Sequence, residues 1–230
     1  MPEQQLITLD NVSVVREGRT VLRDLTFSLT ATKIAVIGAN GSGKSSFART
    51  LNGLVPIAAG KLRVHGMDPN REGKRVRQQV GMVFSNPATQ VVMPTVREDL
   101  AFTLRGRKLD RDEIATRVDA VLARVGMTEF ADASVYLLSG GQQQLIALAS
   151  VLIANPSLII ADEPTALLDL GNANAISRIL LEETDSQVLL VTHDLDLAAR
   201  CEYALCFDNG RLVSQGEPAE VIEQYRRSYD

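Results

Sequence analysis

The stretch 33-KIAVIGANGSGKSSFARTLNGL-54 decides the fold. Its first six residues are a short, β-branched apolar run ending in glycine, the pattern of a core strand. Its last eleven place Phe47, Leu51 and Leu54 at helical spacing. Between them, 38-GANGSGKSS-46 satisfies the pattern G-x-x-x-x-G-K-S in the strand, loop and helix context that gives it meaning. Glycines at 38, 41 and 43 permit a tight wrap without side-chain collision. Backbone N–H groups along Gly38, Ala39, Asn40, Gly41, Ser42, Gly43, Lys44, Ser45 and Ser46 can then converge on phosphate oxygens, helped by the positive end of the next helix. Lys44 is expected to contact the β- and γ-phosphates, and Ser45 to offer its hydroxyl to Mg²⁺.

Further along, 158-LIIADEPT-165 is an apolar strand ending in adjacent carboxylates. Ligands of α/β sheets bind at such carboxyl ends. Asp162 is expected to hold Mg²⁺ directly or through water, and Glu163 to stand beside the γ-phosphate and polarise or deprotonate attacking water. The run 191-VTHD-194 sets His193 at the edge of another core strand, suited to touching the γ-phosphate. In 138-LSGGQQQ-144, Ser139 is an expected N-cap, and Gly140 and Gly141 leave backbone amides exposed for a second phosphate-gripping surface.

In order, 38-GANGSGKSS-46, 138-LSGGQ-142, 158-LIIADEP-164, 166-ALLD-169 and His193 resemble the Walker A, signature, Walker B, D-loop and switch-histidine elements of ABC ATPases. The resemblance covers nearly the whole chain. It implies a P-loop ABC ATPase fold and two subunits sandwiching two ATP molecules. Lys44 and Ser45 of one subunit would face Ser139, Gly140, Gly141 and Gln142 of the other. Glu163 would be the catalytic carboxylate, His193 the γ-phosphate switch, and Asp169 a link between subunits. The segment 79-QVGMVFSNPATQVVMPTVREDLAF-102 resembles the characteristic loop of ATPase subunits from energy-coupling-factor importers. Those proteins drive micronutrient uptake through a transmembrane coupling protein and a substrate-binding membrane subunit. The short carboxy-terminal end resembles the compact type associated with biotin uptake.

Five positions depart from the family pattern. Ser85 stands where a glutamine is usual; being shorter, it reaches magnesium or the attacking water only through a bridging water, or leaves the role to Gln90. Arg16 lies where an aromatic ring often meets adenine, and either stacks on the base or is a solvated turn residue. Leu167 and Leu170 replace a common glycine and proline. Leu145, near a position that is often basic, is expected to pack against the helical subdomain.

The remaining sequence fits this frame. At 230 residues, with 45% apolar and 23% charged residues, the chain reads as a globular protein of one large domain. It is expected to be α/β, with a mostly parallel core sheet and an antiparallel subdomain from the strands at 6–15 and 21–29. A helical subdomain is expected as an insertion at about 90–155. The stretch 203–216 reads as a hairpin turning at Asp208-Asn209-Gly210, and 96–102 is expected to lend apolar residues to a groove for a partner's coupling helix. The basic run 71-REGKRVRQQ-79 reads as a solvated turn, His65 and Met67 as a strand exit, and Met82 and Met93 as packing or partner contacts.

A net charge of −4 with no basic tail argues against nucleic acid as a partner. Two cysteines, Cys201 and Cys206, build neither a disulfide framework nor a four-ligand metal site, and read as reduced, buried thiols. Nothing at 1–10 has signal-peptide character, and no apolar run approaches the ~20 residues that span a bilayer. The expectation is therefore Mg²⁺-dependent ATP hydrolysis powering vitamin or metal import, at the cytoplasmic face of a membrane crossed by other chains. The alternative is an ABC ATPase or nucleotide-dependent regulatory scaffold in a nonmembrane complex.

Overall fold

The computed structural model describes residues 6–166 and 168–229; Leu167 lies outside the described residues. The antiparallel pair β1 (Ile7–Arg16) and β2 (Arg19–Leu29) leads to β3 (Lys33–Gly38), helix α1 (Lys44–Leu51), strand β4 (Ala59–Val64), helix α2 (Gly73–Gln79) and β5 (Val80–Val83). Helices α3 (Val96–Thr103), α4 (Arg111–Arg124) and α5 (Gly140–Leu152) follow. The chain then resumes with β6 (Leu158–Asp162), α6 (Leu170–Leu181), β7 (Gln187–Val191), α7 (Leu195–Ala198), β8 (Tyr203–Asp208), β9 (Arg211–Gly216) and α8 (Pro218–Arg227).

Strand β3 is buried along its whole length because it occupies the middle of a six-stranded sheet ordered β5-β6-β7-β3-β8-β9. Its pairings with β7 and β8 are parallel, as are those of β6 with β5 and β7; only β9 runs antiparallel, at the edge. Side chains of a strand alternate between faces, so Ala35 and Ile37 enter one core and Ile34 and Val36 another. The first core is covered by α3 to α8. The second takes Phe47 and Leu51 of α1 and the inner face of the small sheet β2-β1-β4. Phe47 joins these layers, its ring 5.8 Å from Phe27 and 5.1 Å from Phe207. Burying such a side chain contributes about 2–3 kcal/mol.

Helix α1 stops three residues short of the expected Leu54. Gly53 adopts a left-handed φ of 73°, and a Cβ there would lie 2.8 Å from the Pro69 carbonyl oxygen. Leu54 is therefore half exposed instead of continuing the apolar stripe. The basic run expected as a turn is the helix α2, which buries only Val76. In α3, Val96 and Leu100 are spent on the core and cannot line an open groove. Its start is fixed by the buried Asp99, which accepts hydrogen bonds from the amides of Val92 (2.8 Å) and Met93 (2.9 Å). Leu145 packs into the first core as expected.

His65 stands at the exit of β4, its ring nitrogens 3.0 Å from Ser157 Oγ and 2.7 Å from Gln187 Oε1, which ties the small sheet to the starts of β6 and β7. Both cysteines are free and buried, and burial raises their thiol pKa values to about 12 for Cys201 and about 11 for Cys206. Thiols held neutral in this way are poor nucleophiles.

Candidate nucleotide site

The loop between β3 and α1 closes on itself at the carboxyl end of the central strand. Gly38 has φ 139°, and a Cβ there would come within 2.1 Å of the Phe207 carbonyl oxygen; Gly43 has φ 107°, and its Cβ would meet Leu22 at 2.8 Å. No other residue fits either place. The β8–β9 turn buttresses the loop from behind: the Gly210 amide donates to Ser42 O at 2.9 Å, and the Arg23 amide donates to Gly210 O at 2.8 Å. Asn209 and Gly210 both have positive φ, the two-residue geometry of a tight hairpin, as the Asp-Asn-Gly string implied. Its contact with the phosphate loop had no local signal in the sequence.

Lys44 is buried and folds back over the loop, its Nζ donating to the carbonyls of Gly38 (2.8 Å) and Ala39 (3.0 Å). An ammonium has three donors, so one remains for an anion in the loop. Burial lowers the Lys44 pKa below the ordinary lysine value, and the nearby carboxylates of Glu163 and Asp162 oppose that shift.

Two further pairs assemble around this loop. Ser45 Oγ donates to Asp162 Oδ1 at 2.9 Å, across 117 residues of sequence. A hydroxyl and a carboxylate are the oxygen donors that Mg²⁺ prefers, so this pair fits that ion. Among the described residues no cluster of three or more His, Cys, Asp or Glu side chains is arranged to hold a metal. Mg²⁺ held with a nucleotide usually takes its other ligands from phosphate oxygens and water. The second pair is His193 and Glu163: Nδ1–H donates to Oε2 at 2.8 Å, and the His193 amide approaches the same oxygen at 3.4 Å. Strand register produces this contact. Asp162 is level with Val191 in the parallel pairing, and the Glu163 amide continues the ladder by donating to Val191 O at 2.9 Å. Glu163 itself has φ 52°, a strained value for a non-glycine residue, which turns the chain sharply at the strand end.

Glu163 and His193 line a cleft together with Gly38, Ala39, Asn40 and Ser85. Tyr225 and Tyr229 of the carboxy-terminal segment complete its wall, with ring centroids 5.2 Å apart. Neither tyrosine was singled out from the sequence. A neighbouring hollow is lined by Asn40, Gly41, Gly43 to Ser46, Glu163 and Val21. Val21 of β2 is a third residue that sequence reasoning missed. Arg16 is exposed at the end of β1 and lines neither hollow.

Ser139 caps α5 as expected, within a reciprocal capping box: its Oγ accepts from the Gln142 amide (3.3 Å), and Gln142 Oε1 accepts from the Ser139 amide (2.8 Å). Ser139 and Gly140 are exposed, and neither lines the two hollows around the phosphate loop. Asp169 caps α6 by accepting from the Asn172 amide at 2.9 Å, a bond that holds its carboxyl below the usual pKa. The Asn172 side chain lies against Gly141, where a Cβ would be 2.3 Å from Nδ2. The first turns of α5 and α6 are therefore in contact within one chain.

Residues 22–166 match the family model described as ABC transporter. The chain belongs to the ABC transporter family. Among its relatives, the biotin transport ATP-binding protein BioM of Rhizobium etli is 42% identical over 220 residues, covering 96% of this chain and 97% of its own. The energy-coupling factor transporter ATP-binding protein EcfA1 of Levilactobacillus brevis is 42% identical over 228 residues, covering 96% of this chain and 82% of its own. Of solved structures, CbiO1 from Clostridium perfringens, described as part of the ABC transporter complex CbiONQ, superposes with a TM-score of 0.85. It is 29% identical, with 96% of this chain and 92% of that one covered. The α/β fold with its mostly parallel sheet is that of ABC ATPases.

Against the ABC pattern, the segment after β5 differs from expectation in one respect. Gln90 is not free to replace the glutamine missing at Ser85. Its Oε1 accepts from the Phe84 amide (2.8 Å) and its Nε2 donates to Met82 O (3.1 Å), so its amide holds the loop together. Gln144 of α5 donates to Phe84 O at 3.0 Å, fixing the other side of the same residue. Ser85 is thereby held at the cleft, next in sequence to a peptide clamped from two directions.

Proposed function

We propose that this chain is the ATP-hydrolysing subunit of a micronutrient importer, acting as one of a pair of ATPase subunits beneath a transmembrane coupling protein and a substrate-binding membrane subunit. One observation carries the reading: the phosphate loop, the Ser45–Asp162 pair and the Glu163–His193 pair converge at the carboxyl ends of β3, β6 and β7. In this reading the loop amides and Lys44 hold the β- and γ-phosphates. Glu163 takes a proton from water as its oxygen bonds to the γ-phosphorus and the bond to the β-phosphate oxygen breaks, releasing ADP and inorganic phosphate. His193 holds one oxygen of Glu163, leaving the other to face the water. Ser45 and Asp162 would hold Mg²⁺, which supplies neutralisation of charge on the phosphate oxygens.

The exposure of Ser139 and Gly140, away from their own phosphate loop, supports a site completed by a second subunit. The BioM and EcfA1 relatives support micronutrient import, with biotin, the substrate in BioM's name, as the first to try. Among the described residues no helix is long and apolar enough to cross a membrane. A mainly apolar groove is the site we assign to a helix of the transmembrane partner; its lining includes Leu54, Gln78, Met82, Phe84 and Thr103. Phe84 lies in the groove and Ser85 in the catalytic cleft, so displacement at one is felt at the other.

Gentle detergent extraction and pull-down from native membranes, followed by intact-complex mass measurement, tests this reading. Recovery of a coupling protein with a small membrane protein is expected; recovery of soluble chains alone would overturn it. Ser85→Gln should raise partner-stimulated hydrolysis several-fold, because glutamine reaches the water and ion that serine does not. Unchanged stimulation would show that Ser85 does not weaken coupling.

A further inference from the structure

The reaction has no use for the basic run at 71–79, yet the fold gathers it with other cations on one surface. Residues 61–77 carry six basic and two acidic side chains, a net +4, in a chain whose total is −4; the remainder carries −8. On β4, Leu62 and Val64 point inward while Lys61 and Arg63 point outward, and β4 is an outer strand of its sheet. Helix α2 buries Val76 and leaves Lys74 and Arg75 exposed. The two acids neutralise this surface in part. Asp68 lies 3.5 Å from Arg63 and 3.9 Å from Arg71, and Glu72 pairs with Arg75 at 3.1 Å. Lys61, Lys74 and Arg77 form no ion pair among the described residues.

This surface is continuous with the apolar groove, which Arg77 and Gln78 of α2 help to line. We propose that the face formed by β4 and α2 rests on anionic phospholipid headgroups beside the transmembrane partner. The orientation rests on the assignment of the groove to that partner. The chemistry rests on the cations themselves. They sit on β4, on α2 and on the turn between, on long exposed side chains with no aromatic residue between them. Lys61, Arg63 and Arg71 border a polar hollow with Asp68 and Asn70, and Lys74, Arg75 and Arg77 extend the positive potential beyond it along α2. An anionic bilayer answers that potential, whereas a single-stranded nucleic acid would call for stacking surfaces.

Sedimentation of the full chain with lipid vesicles, without ATP or partner, tests the proposal. The chain should bind vesicles containing about one-third phosphatidylglycerol at low ionic strength, and not those of phosphatidylcholine alone. Salt at about 0.5 M should abolish binding. Each cation near such a surface is worth about fivefold in affinity, so Lys74→Gln with Arg75→Gln should bind roughly 25-fold more weakly. The same charge change on α4, Arg111→Gln with Arg117→Gln, should leave binding intact, and basal hydrolysis should be equal in both variants and the unmodified chain. Absence of binding, equal binding to both vesicle types, or equal loss in both variants would overturn the proposal. Absent vesicle binding with reduced partner-stimulated hydrolysis in the α2 variant would assign the surface to an acidic protein segment instead. Because the vesicle readout needs neither nucleotide nor partner, failure of the importer reading would show separately, in the pull-down.

Discussion

Glu163→Gln is expected to slow steady-state ATP hydrolysis by roughly 10²–10⁴-fold while leaving nucleotide bound. Glutamine has nearly the shape of glutamate and can still pair with His193, so the contact at 2.8 Å need not be lost. What disappears is a carboxylate able to accept the proton of the attacking water. Nucleotide that binds without being hydrolysed should accumulate in a pair of subunits closed around it. Single-turnover phosphate release and the mass of the ATP-loaded species measure the two effects. Hydrolysis at the unmodified rate would remove Glu163 from the reaction and leave the pair a structural latch at a strained strand end.

Lys44→Ala should act at the earlier step, with nucleotide affinity lowered by about 100-fold. A hydrogen bond to a charged group is worth about 1.5–3 kcal/mol, and the buried ammonium makes its contact where few other cations reach. The substitution also strips the Gly38 and Ala39 carbonyls of their donor, at 2.8 Å and 3.0 Å, so the loop itself loosens. Equilibrium titration with a fluorescent ATP analogue reads the affinity, and thermal unfolding shows whether the fold persists. Unchanged affinity in a folded variant would place the phosphates elsewhere. The two substitutions thus separate binding from chemistry: one weakens occupancy, the other preserves it.

Much of the architecture was legible in short runs. A strand buried on both faces has to be largely apolar, and 34–38 and 158–161 are so, with Lys33 and Asp162 at the strand ends. The Asn209-Gly210 turn announced its hairpin for the same local reason, since both positions need positive φ. Runs whose fate depends on neighbours were misread. Leu54 continues a helical stripe by spacing, but close approach of the Pro69 carbonyl demands the Gly53 bend that ends the helix. The 71–79 run has too little apolar character to announce a helix, and forms one around the single buried Val76. Gln90 looked available to replace a glutamine until its amide proved bound to the backbone on both sides.

The residues of the phosphate loop were determined by sequence alone, because glycine content and the lysine–serine pair are properties of consecutive positions. The partners of those residues were decided by tertiary structure. Ser45 meets Asp162 from 117 residues away, and Glu163 meets His193 from 30 away, only because β3, β7 and β6 lie side by side in that order and in that register. Tyr225 and Tyr229 reach the site through the packing of the carboxy-terminal segment on β8 and β9, and Val21 comes from β2 of the other sheet. Local pattern sets which chemistry a residue offers; strand pairing and packing set which other group it is offered to.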